Sequence, residues 1–247
     1  MRDICAVLDD LTAARQKYPY VNRIFIADGD ALIRGMDDWI RLLNSIGLIF
    51  PECSRVSCYA SARSILDKSA DELARLQELG LSMLYLGLES GSDKVLRSMN
   101  KGETVEQIVE AVKKAKECGM KLSVTAISGL GGRALWEEHA VHTGEALSRM
   151  KPDYIGLLTL MLSENAPLHT QVAAGKFEVP GPMEITAETL LMLNHLDSEG
   201  SVFRSNHASN YLALKGTLNV DIEPMKQLLR EALAGKVVYK NEWSRRL

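Results

Sequence analysis

Glu89, Ser90 and Gly91 form the most informative polar cluster in the sequence. They directly follow residues 84–88, an apolar stretch predicted to be a buried strand. Glycine lets backbone N–H groups approach a ligand closely, while Glu89 offers acceptors and Ser90 a donor. The pattern predicts a binding site at the end of this strand. A serine-rich turn that caps the next helix is the alternative interpretation.

Four other apolar stretches also end in small or polar residues. They are residues 21–27, followed by Asp28, Gly29 and Asp30; residues 56–59, followed by Ser61; residues 122–127, followed by Ser128 and Gly129; and residues 154–161, followed by Ser163. In parallel sheets and barrels, ligands bind at the carboxyl ends of the strands. We therefore expect these tips to lie along one mouth.

Helices with start and stop signals are predicted between the strands. Ser69–Glu72 and Thr104–Gln107 fit capping boxes, and Gly80 and Gly119 fit helix ends. Another helix is predicted from residue 36 to Ile46, ending at Gly47. Five strands alternating with helices indicate right-handed βαβ units and one parallel sheet.

The chain opens on an amphipathic helix, residues 3–17, without a strand before it. The crossover rule predicts one more strand and loop upstream of Met1. An N-terminal helix that simply caps the sheet is the alternative.

Composition sets broad limits. The 247 residues are 46% hydrophobic, enough for one α/β domain with an appendage, and the net charge of -3 gives no general case for nucleic acid. No apolar run approaches the roughly 20 residues of a membrane span, and no secretory pattern opens the chain. We therefore expect a cytoplasmic protein without a membrane partner.

Cysteines and histidines do not suggest a metal site. We expect reduced, mostly buried thiols at Cys5, Cys53, Cys58 and Cys118, although a metal on Cys53 and Cys58 is the alternative. His139 and His142, at i and i+3 of a helix predicted from about Leu135 to Met150, are interpreted as part of a solvated helix face. Metal binding by this pair is the alternative.

Three motifs occur in register with those of a known family. Residues 27–32 (ADGDAL), 87–92 (GLESGS) and 95–104 (VLRSMNKGET) resemble the radical S-adenosylmethionine (SAM) superfamily, in its branch of tRNA methylthiolases and coproporphyrinogen-oxidase-like proteins. Residues 203–212 resemble a stretch in uncharacterised members, so the resemblance covers nearly the whole chain.

The resemblance implies an α/β fold, a partial (β/α)6 TIM-like barrel of parallel strands. Its core is expected at residues 1–165 and a mostly helical C-terminal extension at residues 166–247. The family's first strand leads into a C-x-x-x-C-x-x-C loop that binds a 4Fe-4S cluster, and this sequence lacks both. The chain therefore looks like a member truncated at its N-terminus, with its cluster ligands expected upstream of Met1.

The family's activity implies an enzyme in the full-length form. Such an enzyme cleaves SAM reductively at the cluster, and the resulting 5'-deoxyadenosyl radical acts on a substrate that we leave unknown. A flavodoxin or ferredoxin is the implied electron donor. The chain alone is expected to be inactive, and no catalytic side chain is assigned. A noncatalytic barrel that binds a nucleotide-like ligand, or a TIM-like enzyme for a phosphorylated metabolite, is the alternative.

The resemblance also implies which residues contact SAM. The site residues it implies are Asp28, Gly29 and Asp30 for the ammonium group; Glu89 and Ser90 for ribose or the methionyl part; Lys101 for the carboxylate; Ile127, Ser128 and Gly129 for adenine; and Ser61 and Gly91 at the same strand ends. Asp28 replaces a glycine of the family pattern, so its contact is the least defined.

The C-terminal third holds a dense polar run and three predicted helices. The run is proposed to contact substrate or to bond locally, and its residues are Arg204, Asn206, His207, Asn210 and Tyr211. The helices are predicted at residues 168–175, 186–196 and 222–233. The basic residues 236–246 are interpreted as a solvated tail, with phosphate or RNA contact as the alternative.

Overall fold

The computed structural model describes residues 2–245 and shows an open, mostly parallel α/β sheet with helices. Its seven strands follow the order of the chain, β1 to β7. The strands are β1 Arg23–Ile26, β2 Arg55–Tyr59, β3 Leu81–Glu89, β4 Lys121–Ser128, β5 Tyr154–Thr159, β6 Val202–Arg204 and β7 Lys215–Thr217. This architecture confirms the predicted fold class, a partial TIM-like barrel.

The helices of the described residues match the predicted periodicity closely. They are α1 Ile4–Lys17, α2 Met36–Ile49, α3 Ala62–Leu66, α4 Ala70–Glu78, α5 Asp93–Ser98, α6 Val105–Glu117, α7 Trp136–Met150, α8 Pro167–Ala173, α9 Pro182–Asn194 and α10 Ile222–Leu233, with short 3-10 helices at Ala31–Ile33 and Glu242–Ser244. Gly47 lies inside α2, so the predicted end of that helix is wrong. A single glycine costs a helix only about 1 kcal/mol, which the apolar face of α2 offsets.

Both predicted capping boxes are present. The Ser69 hydroxyl accepts the Glu72 N–H, and the Glu72 carboxylate accepts the Ser69 N–H. Thr104 and Gln107 exchange the same two bonds. Gly80 and Gly119 follow α4 and α6 with φ of 108° and 83°, a conformation that favours glycine.

The chain forms two compact units. The first comprises residues 1–86 and 110–122, and the second residues 87–109 and 123–247. In the first unit, β2 pairs in parallel with β1 and with β3. In the second, β5 pairs in parallel with β4 and β6.

Residues 202–217 contain two short strands that the sequence patterns did not predict within the helical extension. β6 continues the parallel sheet and β7 pairs with it antiparallel. Each strand has three residues. Strands this short carry too little periodicity to be recognised, because a pattern needs four or more residues to show alternation.

Each unit has its own buried apolar side chains. In the first unit Leu32, Trp39 and Leu76 are fully buried, and in the second Leu88, Leu147 and Phe203. The polar strand ends described below therefore belong to units with closely packed apolar cores.

Candidate ligand site and buried relay of the second unit

Glu89, the last residue of β3, has an unusual backbone conformation. Its φ is 62°, in the left-handed region that non-glycine residues rarely adopt. Such a conformation costs roughly 1–2 kcal/mol, and strain of this kind is concentrated at functional sites. The backbone thus directs the Glu89 side chain in a way that an ordinary strand end would not.

The Glu89 carboxylate is paired with one cation but incompletely bonded. Lys101 Nζ lies 3.6 Å from Glu89 Oε1, and both side chains are 25% exposed. Glu89 Oε2 is buried and has no hydrogen-bond partner among the described residues. Burial raises the pKa of Glu89, while Lys101 opposes that shift. One oxygen of this carboxylate therefore lacks a hydrogen-bond donor, and a ligand could supply that donor only if the side chain moved.

Gly87 makes room for this carboxylate. A Cβ at that position would lie 1.9 Å from Glu89 Oε1 and 3.1 Å from Lys101 Nζ. Lys101 itself lies between two residues with positive φ, Asn100 at 54° and Gly102 at 76°. The backbone conformation around Glu89 and around Lys101 thus determines where the two charged groups lie.

Ser90 is fully buried, and its hydroxyl faces into the protein. Ser90 Oγ lies 2.8 Å from His139 Nδ1 and accepts the Ser92 N–H at 3.0 Å. Its predicted contact with SAM stays a prediction, but in this structure the hydroxyl is engaged with His139.

Gly91 allows the helix α7 to approach the chain closely, while its predicted contact with SAM stays a prediction. Its N–H donates to Thr143 Oγ1 at 2.9 Å, and a Cβ would lie 2.1 Å from the His142 carbonyl oxygen. Glycine is therefore required here for contact with the backbone of α7.

His139 is buried and only 2% exposed, so its predicted place on a solvated helix face is wrong. The imidazole fills the space between the ends of β3 and β4, with Nε2 3.1 Å from the Ile127 carbonyl oxygen. The prediction for His142, which is exposed, is confirmed.

Glu188 of α9 is the buried carboxyl group nearest the end of β4. Its Oε1 accepts the Gly129 N–H at 2.7 Å, and it lies 3.6 Å from His139 Nε2. Nearby, the hydroxyls of Ser128 and Thr189 are 3.4 Å apart. Burial raises the pKa of Glu188 to about 8, while burial lowers the pKa of His139 to about 4.

In the glycine-rich loop after β4, the amides of Gly129 and Gly132 donate hydrogen bonds within the protein. Gly129 donates to Glu188, and the Gly132 N–H donates to the Gly129 carbonyl at 3.0 Å. The Gly129 amide is already bonded to Glu188, so it is not free to bind a phosphate group. This arrangement disfavours the alternative of an enzyme that binds a phosphorylated metabolite here.

In the first unit, Asp30 caps the helix that follows β2. Its Oδ2 accepts the Ser61 hydroxyl at 2.6 Å, and its Oδ1 accepts the Ser61 N–H at 3.2 Å and the Ser64 hydroxyl at 2.8 Å. Asp28 and Gly29 are exposed, and Asp28 Oδ1 accepts the Gly29 N–H. The predicted contacts of Asp28, Gly29, Asp30 and Ser61 with SAM stay predictions, but the bonds that occupy both Asp30 oxygens disfavour a contact of its carboxylate with SAM.

The polar run after β6 is divided between buried and exposed positions. Asn210 is buried, donates to the Leu157 carbonyl and accepts the Thr159 hydroxyl. The exposed members are Arg204, Asn206 and His207. Asn210 thus bonds locally to β5, while the substrate role of the run stays a prediction.

One residue of the basic C-terminal segment, Arg245, packs against this run. Arg245 is buried, donates to the carbonyls of Ser209 and Leu160 and lies over the Tyr211 ring, with its guanidinium carbon 3.9 Å from the ring centroid. The prediction of a solvated tail is therefore wrong for Arg245. Arg246 lies outside the described residues.

Sequence reasoning did not single out Glu188 as a functional candidate. Its only visible signal is a carboxylate within an apolar helix pattern, and the helix predicted at residues 186–196 places it in a first turn, where a carboxylate is favourable. Because α9 begins at Pro182, Glu188 lies beyond its first turn. For His139 the signal is the nearby glycine pair at 131–132, because Gly131 places its α-carbon close to the His139 side chain.

The described residues show no metal centre of their own. Among residues 2–245, no three His, Cys, Asp or Glu side chains form a group able to hold a metal ion. The cysteines are free, and only Cys58 is buried, so the expectation of mostly buried thiols is wrong. Within the same range, no helix combines the length and apolarity needed to cross a bilayer.

One family profile and several known proteins match this chain. The profile of the Radical SAM superfamily matches residues 2–143. The heme chaperone HemW of Bacillus subtilis (strain 168) is 22% identical over 192 residues, covering 76% of this chain and 50% of HemW. A probable threonylcarbamoyladenosine tRNA methylthiotransferase of Methanocaldococcus jannaschii is 33% identical over 95 residues, covering 38% of this chain and 22% of that protein.

Two solved structures show the same fold. Coproporphyrinogen III oxidase (HemN) from Escherichia coli, described as a radical SAM enzyme, matches with a TM-score of 0.60 and 19% identity over 77% of this chain and 45% of that chain. Elp3 of Methanocaldococcus infernus, with an N-terminal deletion, matches with a TM-score of 0.62 and 15% identity over 95% of this chain and 59% of that chain. This chain thus spans half of HemW and less than two thirds of either solved relative.

Proposed function

The chain belongs to the radical SAM superfamily, and on that premise we propose that the whole protein is an enzyme that binds SAM and cleaves it reductively at a 4Fe-4S cluster. The observation that carries the proposal is Glu89, a strained, partly buried carboxylate with one unbonded oxygen at the end of β3. The relatives' own substrates are not transferred to this protein.

The residues at the end of β3 fit the methionyl part of SAM. That part of the ligand carries an ammonium group and a carboxylate, and Glu89 and Lys101 offer one charge for each. Lys101 Nζ and Glu89 Oε1 are 3.6 Å apart. In the proposed complex, the ligand's ammonium group pairs with Glu89 and its carboxylate pairs with Lys101. An alternative use of Glu89 is to accept hydrogen bonds from the ribose hydroxyls.

The apolar and backbone groups at the end of β4 fit the adenine end. Ile127 is partly exposed and Ser128 is buried. In this proposal, these residues orient the nucleoside and exclude water, while the cofactor supplies the bond-breaking chemistry.

The cluster does not fit the described residues. Cys5, Cys53, Cys58 and Cys118 are free, and no metal-holding group occurs among residues 2–245. When bound in this family, a reduced cluster supplies the electron for cleavage of the sulfonium bond, and we propose a flavodoxin or ferredoxin as the source of that electron. No step of this chemistry is assigned to the described side chains.

Equilibrium dialysis of the 247-residue chain with SAM tests the binding part of the proposal. We expect weak binding, with a Kd of about 1 mM, because only part of the ligand is contacted. Glu89→Ala is expected to abolish measurable binding. Glu199→Ala, which removes an exposed glutamate, is the matched control for altered charge. Binding that survives Glu89→Ala unchanged would refute the assignment.

An anaerobic assay for 5'-deoxyadenosine tests the catalytic part. We expect none from the reduced 247-residue chain after cluster reconstitution, because its described residues bring no cluster ligands together. Production of 5'-deoxyadenosine by this chain would overturn that expectation. Inorganic phosphate is expected not to compete with SAM; competition would favour the enzyme of a phosphorylated metabolite.

A further inference from the structure

Two buried titratable groups of the second unit have no part in the proposed function. His139 of α7 and Glu188 of α9 are each 2% exposed, and His139 Nε2 lies 3.6 Å from Glu188 Oε1. His139 contacts Ser90, which follows β3, and Ile127 in β4. Glu188 contacts Gly129, which follows β4. The pair thus reaches the chain at the ends of both strands.

The partners of His139 determine which ring nitrogen carries the proton. A backbone carbonyl only accepts hydrogen bonds, so Nε2, at 3.1 Å from the Ile127 oxygen, must carry a hydrogen. Nδ1 then accepts from the Ser90 hydroxyl at 2.8 Å, and that hydroxyl oxygen accepts from the Ser92 N–H. The bonds form one directed chain from Ser92 through Ser90 and His139 to Ile127.

The surroundings of Glu188 favour its protonated form. Its Oε2 is buried without a hydrogen-bond partner among the described residues, so a negative charge there would be poorly compensated. The groups facing Glu188 are His139 from α7, the Gly129 amide and the Ser128 hydroxyl. Burial raises the pKa of Glu188 to about 8 and lowers the pKa of His139 to about 4, so both groups are neutral near pH 7.

Close backbone packing leaves the pair little freedom to move. A Cβ on Gly131 would lie 2.9 Å from His139 Cβ, and one on Gly144 would lie 2.5 Å from the Met192 carbonyl oxygen. The two helices that carry His139 and Glu188 are therefore in near contact with each other and with the loop after β4. A hydrogen bond from either side chain consequently fixes the backbone it reaches.

We propose that His139 and Glu188 are positioning residues that act as an uncharged buried relay, holding the chain after β3 and the chain after β4 in one fixed arrangement. The relay does not require a ligand. Its consequence for SAM, prealignment of Glu89 and of the end of β4, rests on the proposed function. Substitution of the relay is then expected to weaken SAM binding without removing any group that contacts SAM.

Nitrogen NMR of the histidine-labelled chain tests the proton assignment. We expect His139 as the neutral tautomer with its hydrogen on Nε2 from pH 8 down to about pH 5. A different tautomer, or a charged imidazole at pH 7, would overturn the proposal. A residue that merely fills space would not need this tautomer, so the measurement separates a relay from simple packing.

Hydrogen exchange of the Gly129 amide tests the contribution of Glu188. Glu188→Ala removes the acceptor, and the exchange of that amide is expected to become about tenfold faster or more. Glu188→Gln keeps a neutral acceptor of the same shape and is expected to restore exchange close to the unsubstituted chain. Glu199→Ala, at an exposed glutamate, is the control and is expected to change nothing. Unchanged exchange in Glu188→Ala would overturn the proposal, and if that variant does not fold, the failure of Glu188→Gln to behave like the unsubstituted chain would do so.

SAM titration of the same variants separates the relay from the proposed function. With both ideas correct, Glu188→Ala weakens SAM binding about tenfold and Glu188→Gln does not. If the unsubstituted chain binds no SAM while the tautomer and the exchange results are as expected, the proposed function fails and the relay stands. If SAM binds but Gly129 exchanges equally in all variants, the relay fails and the proposed function stands.

Discussion

Asp30 in the first unit and Glu89 in the second are carboxylates that follow or end a parallel strand, yet their oxygens are used differently. Both oxygens of Asp30 accept hydrogen bonds, from Ser61 and Ser64. Glu89 has one ion pair and one oxygen without a partner. A satisfied carboxylate at a strand end stabilises the turn, whereas an unsatisfied one keeps its binding capacity for a ligand.

The glycines of the two strand ends show the same contrast. A Cβ on Gly29, beside Asp28, would meet nothing within 4 Å, whereas a Cβ on Gly91 would meet the backbone of α7. Gly29 is thus free to approach a ligand, and Gly91 is occupied by the protein. The second unit combines one buried oxygen of Glu89 that lacks a hydrogen-bond partner with tight packing of α7 behind Gly91.

Gly91→Ala is predicted to have the largest effect on this contrast. The added methyl would lie 2.1 Å from the His142 carbonyl oxygen, so the backbone at Gly91 or in α7 must move. We therefore expect the free energy of unfolding to fall by about 3 kcal/mol. Gly29→Ala is the control, with an expected change within about 0.5 kcal/mol. Urea unfolding measures both, and equal losses would break the comparison.

Asp30→Ala is predicted to be the next most disruptive change. It removes an acceptor from the Ser61 amide and from the hydroxyls of Ser61 and Ser64, which we expect to cost about 2 kcal/mol. Asp28→Ala, at the exposed carboxylate two residues earlier, is expected to cost less than about 0.5 kcal/mol. A harmless Asp30→Ala in the same unfolding assay would show that Asp30 is not a structural cap.

Glu188→Gln is predicted to change the pH dependence of stability. The folded pKa of Glu188, about 8, lies above the ordinary pKa of 4.5 for a glutamate, so the stability linked to its protonated form is complete below about pH 4.5 and is lost as pH rises to about 8. The glutamine variant lacks this loss. Thermal melts should therefore show equal Tm values near pH 4.5 and a higher Tm for Glu188→Gln above pH 8. A constant difference across this range would show that Glu188 does not titrate as inferred.

Gly87→Ala is predicted to have the smallest effect on stability and a clear one on binding. The new methyl displaces the end of a flexible side chain, the Glu89 carboxylate, so we expect less than about 0.5 kcal/mol of destabilisation. SAM binding is expected to weaken about tenfold, because the carboxylate moves from Lys101. Gly156→Ala, whose Cβ would lie in ordinary contact with Thr125 Oγ1 at 3.7 Å, is the control. Loss of SAM binding in both variants would contradict the claim that binding depends on the placement of the Glu89 carboxylate.

Sequence patterns do not predict much of the contrast between the surroundings of Asp30 and those of Glu89. The strands, the capping boxes and the polar tips were predictable because periodicity and cap residues are local signals. The burial of His139 was not, because it depends on Gly91 and Gly131, which let α7 approach from a distant part of the chain. The sequence likewise places Asp30 and Glu89 in equivalent positions, and only the partners of their oxygens distinguish them.

NMR titration of the 247-residue chain with SAM tests the central claim most directly, using Glu89→Gln and Asp30→Asn as the paired variants. The account predicts saturable shifts of the Glu89 and Lys101 amides, at least about tenfold weaker binding in Glu89→Gln, and unaltered binding in Asp30→Asn wherever its spectrum shows a folded chain. Weakened binding in Asp30→Asn together with unaltered binding in Glu89→Gln would contradict it, because the satisfied carboxylate would then be the one that binds the ligand.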